Sequence, residues 1–268
     1  MKRIFFPVLL ILILWTAPAD ALTLTNLRVI TGPLGSVRKT TKFLPGDVIY
    51  LTLDARDVQA EEKTGFIKYQ TKMEIFDSLG KRKFVRPSPI KELPLLGGDR
   101  LPIDAFAILL PNQSAGNYQM KITVSDLIAK EDKTLTFDFE VLRKDFGIIQ
   151  PIMPAVGFVG QDYKMGFAVV EMKRDKEELP NAKVTMNVEN DIGRKVFKED
   201  VELNIRELHN PVTLDIRKKT LVNVYLPLFL SQPGNFTVVI HAEDMLADRK
   251  TELRLPIRVL DPVEYTGR

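Results

Sequence analysis

The sequence predicts an all-β chain made of two related β-sandwiches behind an export segment, and three observations carry that prediction. A stretch of strict alternation occurs twice, with Ala115 to Asp126 answered by Pro233 to Asp244. In each copy a glycine-containing turn releases a strand that ends on an aspartate, one side facing a core and the other water. Tyr118, Met120, Ile122 and Val124 make one inner row; Phe236, Val238, Ile240 and Ala242 make the other. The turn glycines recur too, 114 (46 to 160), 113 (80 to 193) and 118 (116 to 234) residues apart. So small a drift is the mark of duplication with loop changes. The third observation is the start of the chain.

Lys2 and Arg3 precede the apolar run Phe5 to Trp15, and Ala19 and Ala21 stand at the two positions a signal peptidase reads. Cleavage is expected after Ala21, making residues 1–21 a signal peptide. The alternative, an uncleaved anchor, is opposed by Pro18 and Asp20, which sit where its helix would continue. No later segment approaches the span of about 20 apolar residues that a membrane helix needs. The 268 residues carry 38 Lys and Arg against 35 Asp and Glu, and loss of Lys2, Arg3 and Asp20 leaves 36 against 34. That balance is no basic field, so nucleic acid is not an expected partner. There is no cysteine. An exported chain without disulfides fits a bacterial-type envelope, and without a cysteine at the cleavage site it has no place for a lipid anchor. The mature protein is expected in the periplasm or outside the cell.

The elements of the first copy follow in order. Leu22 to Ile30 reads as an opening strand with Leu22, Leu24 and Leu27 inward. Pro45-Gly46 sets a type II turn, because proline fixes one dihedral and glycine accepts the positive φ that follows. Ile49, Leu51, Leu53 and Ala55 then alternate with Tyr50, Thr52 and Asp54. A charged loop, Arg56 to Lys68, leads to a strand from Tyr69 to Phe76, closed by the hairpin turn Asp77-Ser78-Leu79-Gly80. Beyond Phe84 the chain passes Pro87, Pro89, Pro94 and Gly97-Gly98, a composition that predicts a connection between sheets. Ile103, Ala105, Ala107 and Leu109 resume the alternation, and Leu135, Phe137, Phe139 and Val141 form the last inner row.

In the second copy Gly160-Gln161-Asp162-Tyr163 stands where Gly46-Asp47-Val48 stood, followed by Met165, Phe167 and Val169. Asn190-Asp191-Ile192-Gly193 answers the turn at Asp77. Val222, Val224 and Leu226 precede Pro227 as Ala107 and Leu109 precede Pro111. About seven strands in some 120 residues, with turn signals between them, is the pattern of an immunoglobulin-like or fibronectin III-like sandwich. The expected domains are residues 22–143 and 144–268. Arg143-Lys144-Asp145-Phe146 lacks the composition of a flexible tether. A short join and a restrained angle are therefore expected, with Ile148, Ile149, Ile152 and Met153 available to pack near it.

The order Phe43-Leu44-Pro45-Gly46-Asp47, then Asp77 to Lys81, then Leu110-Pro111 leading to Gly116-Asn117-Tyr118, resembles the landmarks of macroglobulin-type and fibronectin III-type domains of secreted proteins. The resemblance covers nearly all of the mature chain once the second copy is counted. It implies the scaffold alone, since the thioester of full macroglobulins needs a cysteine. It also implies a corner hydrogen bond from the Tyr118 hydroxyl, which Phe236 has no group to make.

Chemistry is sparsely supplied. His209 falls in the turn Leu208-His209-Asn210-Pro211 and His241 on the polar side of its strand, with no nucleophile elbow or metalloprotease helix in the sequence, so no catalytic residue is expected. Acidic residues gather after the repeated strand, at Asp126, Glu131 and Asp132 and at Glu243, Asp244 and Asp248. Two readings of them stand open: calcium ligation, and backbone hydrogen bonds that shape the hairpins. No cofactor is implied. A sugar site would need exposed rings; Trp15 leaves with the signal peptide, and Tyr50, Tyr69, Tyr163 and Tyr225 are the substitutes. Lys81-Arg82-Lys83 and Lys173-Arg174 are basic clusters in turns, with an anionic polymer as the alternative to plain solvation. Asn112-Gln113-Ser114 and Asn235-Phe236-Thr237 form glycosylation triplets, of consequence only in a eukaryotic host.

The expected function is a non-enzymatic binding or structural module of a bacterial-type envelope. It would act on an envelope or extracellular protein through loops or strand edges. The alternatives are a polysaccharide-binding envelope protein, a periplasmic pilus-type chaperone that binds by strand addition, and, least favoured, an enzyme using His209 or His241.

Overall fold

A computed structural model describes residues 21–94, 100–217 and 219–262. The expected signal peptide up to Asp20, with Trp15, and the pair Gly97-Gly98 lie outside the described residues. Among those described the fold is almost entirely β. In the first half the strands are β1 (Thr23–Ile30), β2 (Lys42–Phe43), β3 (Val48–Arg56), β4 (Phe66–Asp77), β5 (Arg82–Pro87), β6 (Lys91–Pro94), β7 (Arg100–Ile108), β8 (Gly116–Asp126) and β9 (Glu131–Val141). In the second half they are β10 (Gly147–Ile152), β11 (Val156–Phe158), β12 (Asp162–Val170), β13 (Ala182–Asn190), β14 (Val201–Asn204), β15 (Leu221–Phe229), β16 (Gly234–Asp244) and β17 (Arg249–Leu260). A single turn of 3-10 helix, Ile205–Leu208, follows β14.

The strands form four sheets in two matched pairs. The order β1-β3-β7 stands with β2-β9-β8-β4-β5, in which β6 also pairs with β4; later β10-β12-β15 stands with β11-β17-β16-β13-β14. One hydrophobic cluster draws on both sheets of the first half, from Leu22 to Val141. A second does the same from Phe146 to Val259. The inner rows read from the sequence are buried: Ile49, Leu51, Leu53 and Ala55 in β3, Met165, Phe167 and Val169 in β12, Val222, Val224 and Leu226 in β15. Period-two alternation with one face in a core requires this, since a slip of one residue would turn every apolar side chain to water.

The turns follow their chemistry. Gly46 has φ of 88° and the Asp47 N–H reaches the Leu44 carbonyl at 3.1 Å. Gly80 (φ 73°) and Gly193 (φ 75°) close the two hairpins, and their opening residues act identically. Asp77 Oδ1 accepts from the N–H of Leu79 and Lys81, and Asn190 Oδ1 accepts from Ile192 and Arg194. The Tyr118 hydroxyl donates to the Ser114 carbonyl at 2.9 Å, the corner bond implied by the family resemblance.

One expectation is corrected. The segment beyond Phe84 is not simply a connection: β5 and β6 both pair antiparallel with β4 as a broken outermost strand. Prolines are tolerated there because the strand is an edge. Ser88 N–H donates inward to the Thr71 carbonyl, so alternation turns the nitrogens of Pro87 and Val85 toward the open side. Pro227 lies within β15, which runs on to Phe229 and has β12 on one side only. Leu24 and Leu27 are half-buried and pack against the first core, while the β1 register shifts between them, from Thr25 to Arg28, where Asn26 takes φ of 53°.

Candidate functional site

The catalytic candidates stay apart. His209 follows the 3-10 helix, where its Nδ1 accepts weakly from the Ile216 N–H at 3.5 Å and lies 3.7 Å from Asp215. His241 sits in β16 between Thr185 and Glu252, its Nδ1 3.5 Å from the Glu252 carboxylate. The two do not share a site, and neither has a serine hydroxyl among these contacts.

The acidic stretches resolve into a device used twice. Asp126 at the end of β8 is buried; its Oδ1 accepts from the N–H of Ile128 and Ala129 and its Oδ2 from the N–H of Gln59 at 2.7 Å. Asp244 at the end of β16 is buried the same way, with Oδ1 accepting from Leu246 and Oδ2 from Lys173 at 2.8 Å. Each aspartate thus shapes its own hairpin and ties the loop leaving the opposite sheet, from β3 or from β12. The hairpin role was readable from the sequence; the long-range tie was not. Arg249 adds a charged partner to Asp244 at 2.8 Å, and its own pKa is raised, first by that hydrogen bond.

The basic clusters are mostly engaged. Arg82 pairs with Glu74 at 3.0 Å and Lys83 with Asp77 at 2.8 Å. Arg174 holds the carbonyls of Glu178, Ile216 and Lys219, tying down the long connection before β15. Of the tyrosines named for sugar stacking, Tyr69 is buried and Tyr50 packs on Phe106 with ring centres 5.9 Å apart. Tyr163 spends its hydroxyl on the Phe158 N–H and Gln161. Tyr225 alone of the four is well exposed, lying over Gly166.

Two surfaces stand out among the described residues. The first is the outermost strand β5, whose six residues are all exposed, Phe84 and Val85 among them. Between it and β7 runs a groove lined by Met73, Arg86, Ser88, Pro89, Ala105 and Phe106, with the Arg86 guanidinium 4.7 Å above the Phe106 ring. The second is a shallow depression of about 830 Å³ on the outer face of β4, β8 and β9, where Phe76, Asn117, Gln119, Lys121 and Asp138 gather.

The junction between the halves was only partly legible. Gln150 donates its N–H to Asp47 Oδ1 at 2.8 Å and its side-chain amide to the Gly46 carbonyl at 2.6 Å. Asp47 is fully buried and also meets Arg38 at 2.9 Å. Ile149 joins Ala168 and Val170 in a small cluster against Leu44 and Leu221, which explains why β12 is buried on both faces. Gly32 lets the chain pass the Pro151 carbonyl, where an added Cβ would stand 2.6 Å away. Met153 belongs to the second core, Ile148 packs against it, and Ile152 is exposed.

No protein-family model and no curated sequence matches the chain. Among solved structures it is similar to red sea bream transglutaminase, with TM-score 0.28 and 9% identity, covering 89% of this chain and 31% of that one. It is also similar to the Pseudomonas fluorescens alkylpurine DNA glycosylase AlkC bound to DNA containing an abasic site analog, with TM-score 0.31 and 14% identity, covering 45% of this chain and 30% of that one. The chain spans about a third of the length of each. At that similarity neither neighbour's activity carries over.

Proposed function

We propose that the protein is an exported, non-enzymatic interaction module of a bacterial-type envelope. It comprises two tandem immunoglobulin-like sandwiches, residues 22–143 and 144–268. The pairing of a three-stranded sheet with a larger one, repeated in order, supports the architecture. The observation that carries the function is the β5 edge, an exposed strand whose Val85 N–H faces outward and which carries two exposed apolar side chains. Such an edge is the natural template for an added strand from a partner protein. Pro87 and the neighbouring charges limit its pairing with other copies of itself.

The test is capture from an envelope extract with residues 22–268 as bait and free bait as competitor, beside a Val85→Pro bait. Val85 N–H faces outward, so the substitution removes an edge donor and leaves the ladder to β4 in place. A partner competed away from the native bait and lost, by tenfold or more in recovery, from the Val85→Pro bait supports edge binding. Equal recovery by both baits refutes it. A second reading, polysaccharide binding, is favoured by the depression around Phe76, Asn117, Gln119 and Asp138. It predicts recovery of glycan that Gln119→Ala reduces and Val85→Pro does not.

A further inference from the structure

The beginning of β1 holds a feature that neither binding surface uses. Leu22 is buried in the first core, whereas Ala21 just before it is exposed. The backbone nitrogen of Leu22 donates to Glu131 Oε2 at 3.0 Å, across 109 residues of sequence. The other carboxylate oxygen, Glu131 Oε1, meets Lys133 Nζ at 3.0 Å. Glu131 opens β9, on the sheet opposite β1. Its carboxylate therefore bridges the first residue of the expected mature chain to the sheet that closes over it.

We propose that Glu131 is the receptor for the α-ammonium created by cleavage after Ala21. In the uncleaved chain the Leu22 nitrogen offers one neutral N–H. Hydrolysis of the Ala21–Leu22 bond adds water across the amide, leaving a carboxylate on Ala21 and a protonated amine on Leu22. The nitrogen then carries three N–H donors and a positive charge at hydrogen-bonding distance from a carboxylate, which makes a stronger, charge-assisted contact. The buried Leu22 side chain fixes that amine in register. Lys133, already on the other oxygen, leaves Oε2 to the terminus. Cleavage one residue earlier or later would place the charge elsewhere, so Glu131 links the cleavage position to the stability of the first sandwich. This rests on the export reading and is independent of any partner.

The test is a thermal unfolding cycle on purified protein. The chains are 22–268, released with a free Leu22 amine, and 21–268, which retains Ala21, each with Glu131 or with Glu131→Gln. Both Glu131→Gln proteins lose the Lys133 contact, so the difference between the two losses isolates the terminus. The expected result is a fall in Tm of about 3 °C or more for 22–268, of the size a single charged contact produces in a chain this long, and at most half that for 21–268. Acetylating the Leu22 amine of unmutated 22–268 should reproduce the excess loss without any substitution. Equal losses in the two chains, or no effect of acetylation, overturn the proposal. Mass measurement of the exported protein checks the premise separately: a first residue other than Leu22 overturns the cleavage position, whatever the unfolding cycle shows.

Discussion

Asp47 shows how much one side chain can hold. Its carboxylate accepts from its neighbour Val48, from the Arg38 guanidinium and, across the junction, from the Gln150 N–H. Removing it leaves the N–H groups of Val48 and Gln150 unpaired and takes the carboxylate from Arg38, which keeps its bond to the Lys42 carbonyl at 3.1 Å. Asp47→Ala should therefore cost about 2 kcal/mol or more, the range for leaving buried donors unsatisfied. Chemical denaturation checks this, and a loss under about 0.5 kcal/mol would show that water replaces the carboxylate freely. In the second copy the matching position is Gln161, which bonds to the Tyr163 hydroxyl instead, so the junction role belongs to one copy alone.

Asp77 makes a different prediction, on pH. Its pKa is held below the ordinary carboxylate value, first by the Lys83 ammonium at 2.8 Å and then by the N–H groups of Lys81 and Leu79. A pKa lower in the folded than in the unfolded chain means stability that is present above the unfolded value and lost as pH falls through the folded one. Stability should thus decline as pH drops below about 4. Asp77→Asn should remove Asp77's share of that decline while keeping the turn, because Asn190 already builds the same hairpin with an amide. Unfolding midpoints of native and variant protein measured from pH 6 down to pH 2 provide the check. A native acid slope unchanged in the variant would assign the decline to other carboxylates.

Among the elements, the strands differ in what surrounds them more than in their own sequence. β3 is buried mainly on the side facing the first core, but Asp54 on its other face is buried as well, because Asn26 from the bulged β1 donates to it at 2.7 Å and Arg100 approaches at 3.6 Å. β12 has the same alternation and is buried on both faces by Ile149, Leu44 and Leu221. β5 has both faces exposed although it carries Phe84 and Val85. Alternation marks a strand and its inner row. It does not mark which neighbour, if any, covers the other row. That is why the broken strand β5–β6 reads as a connection in the sequence: prolines exclude a central strand and leave an edge permitted.

For the whole molecule the decisive region is the contact between the two halves. Two hydrogen bonds from Gln150, the apolar cluster around Ile149 and the close pass of Gly32 by Pro151 connect β10 to loops of the first half about 100 residues earlier. Leu44→Ala combined with Ile149→Ala removes the apolar part of that contact and leaves both main cores untouched. Distances between spin labels, one in each half, should spread from a narrow to a broad distribution in the double variant, with strand content by circular dichroism unchanged. A narrow distribution in both proteins would place the restraint in the hydrogen bonds alone.

The alternation and the paired glycine turns were enough to give the all-β class and the inner rows, and the backbone-shaping role of Asp126 and Asp244 was one of the two readings they left open. These are local properties: a period of two and a positive φ are written in neighbouring residues. The sequence could not give the edge status of β5, the second buried face of β12, the meeting of Asp47 with Gln150 or that of Leu22 with Glu131. Each depends on groups about 100 residues apart, or on whether a strand has a neighbour. Such pairings are set by how the sheets close over their cores, so they exist only in the assembled fold.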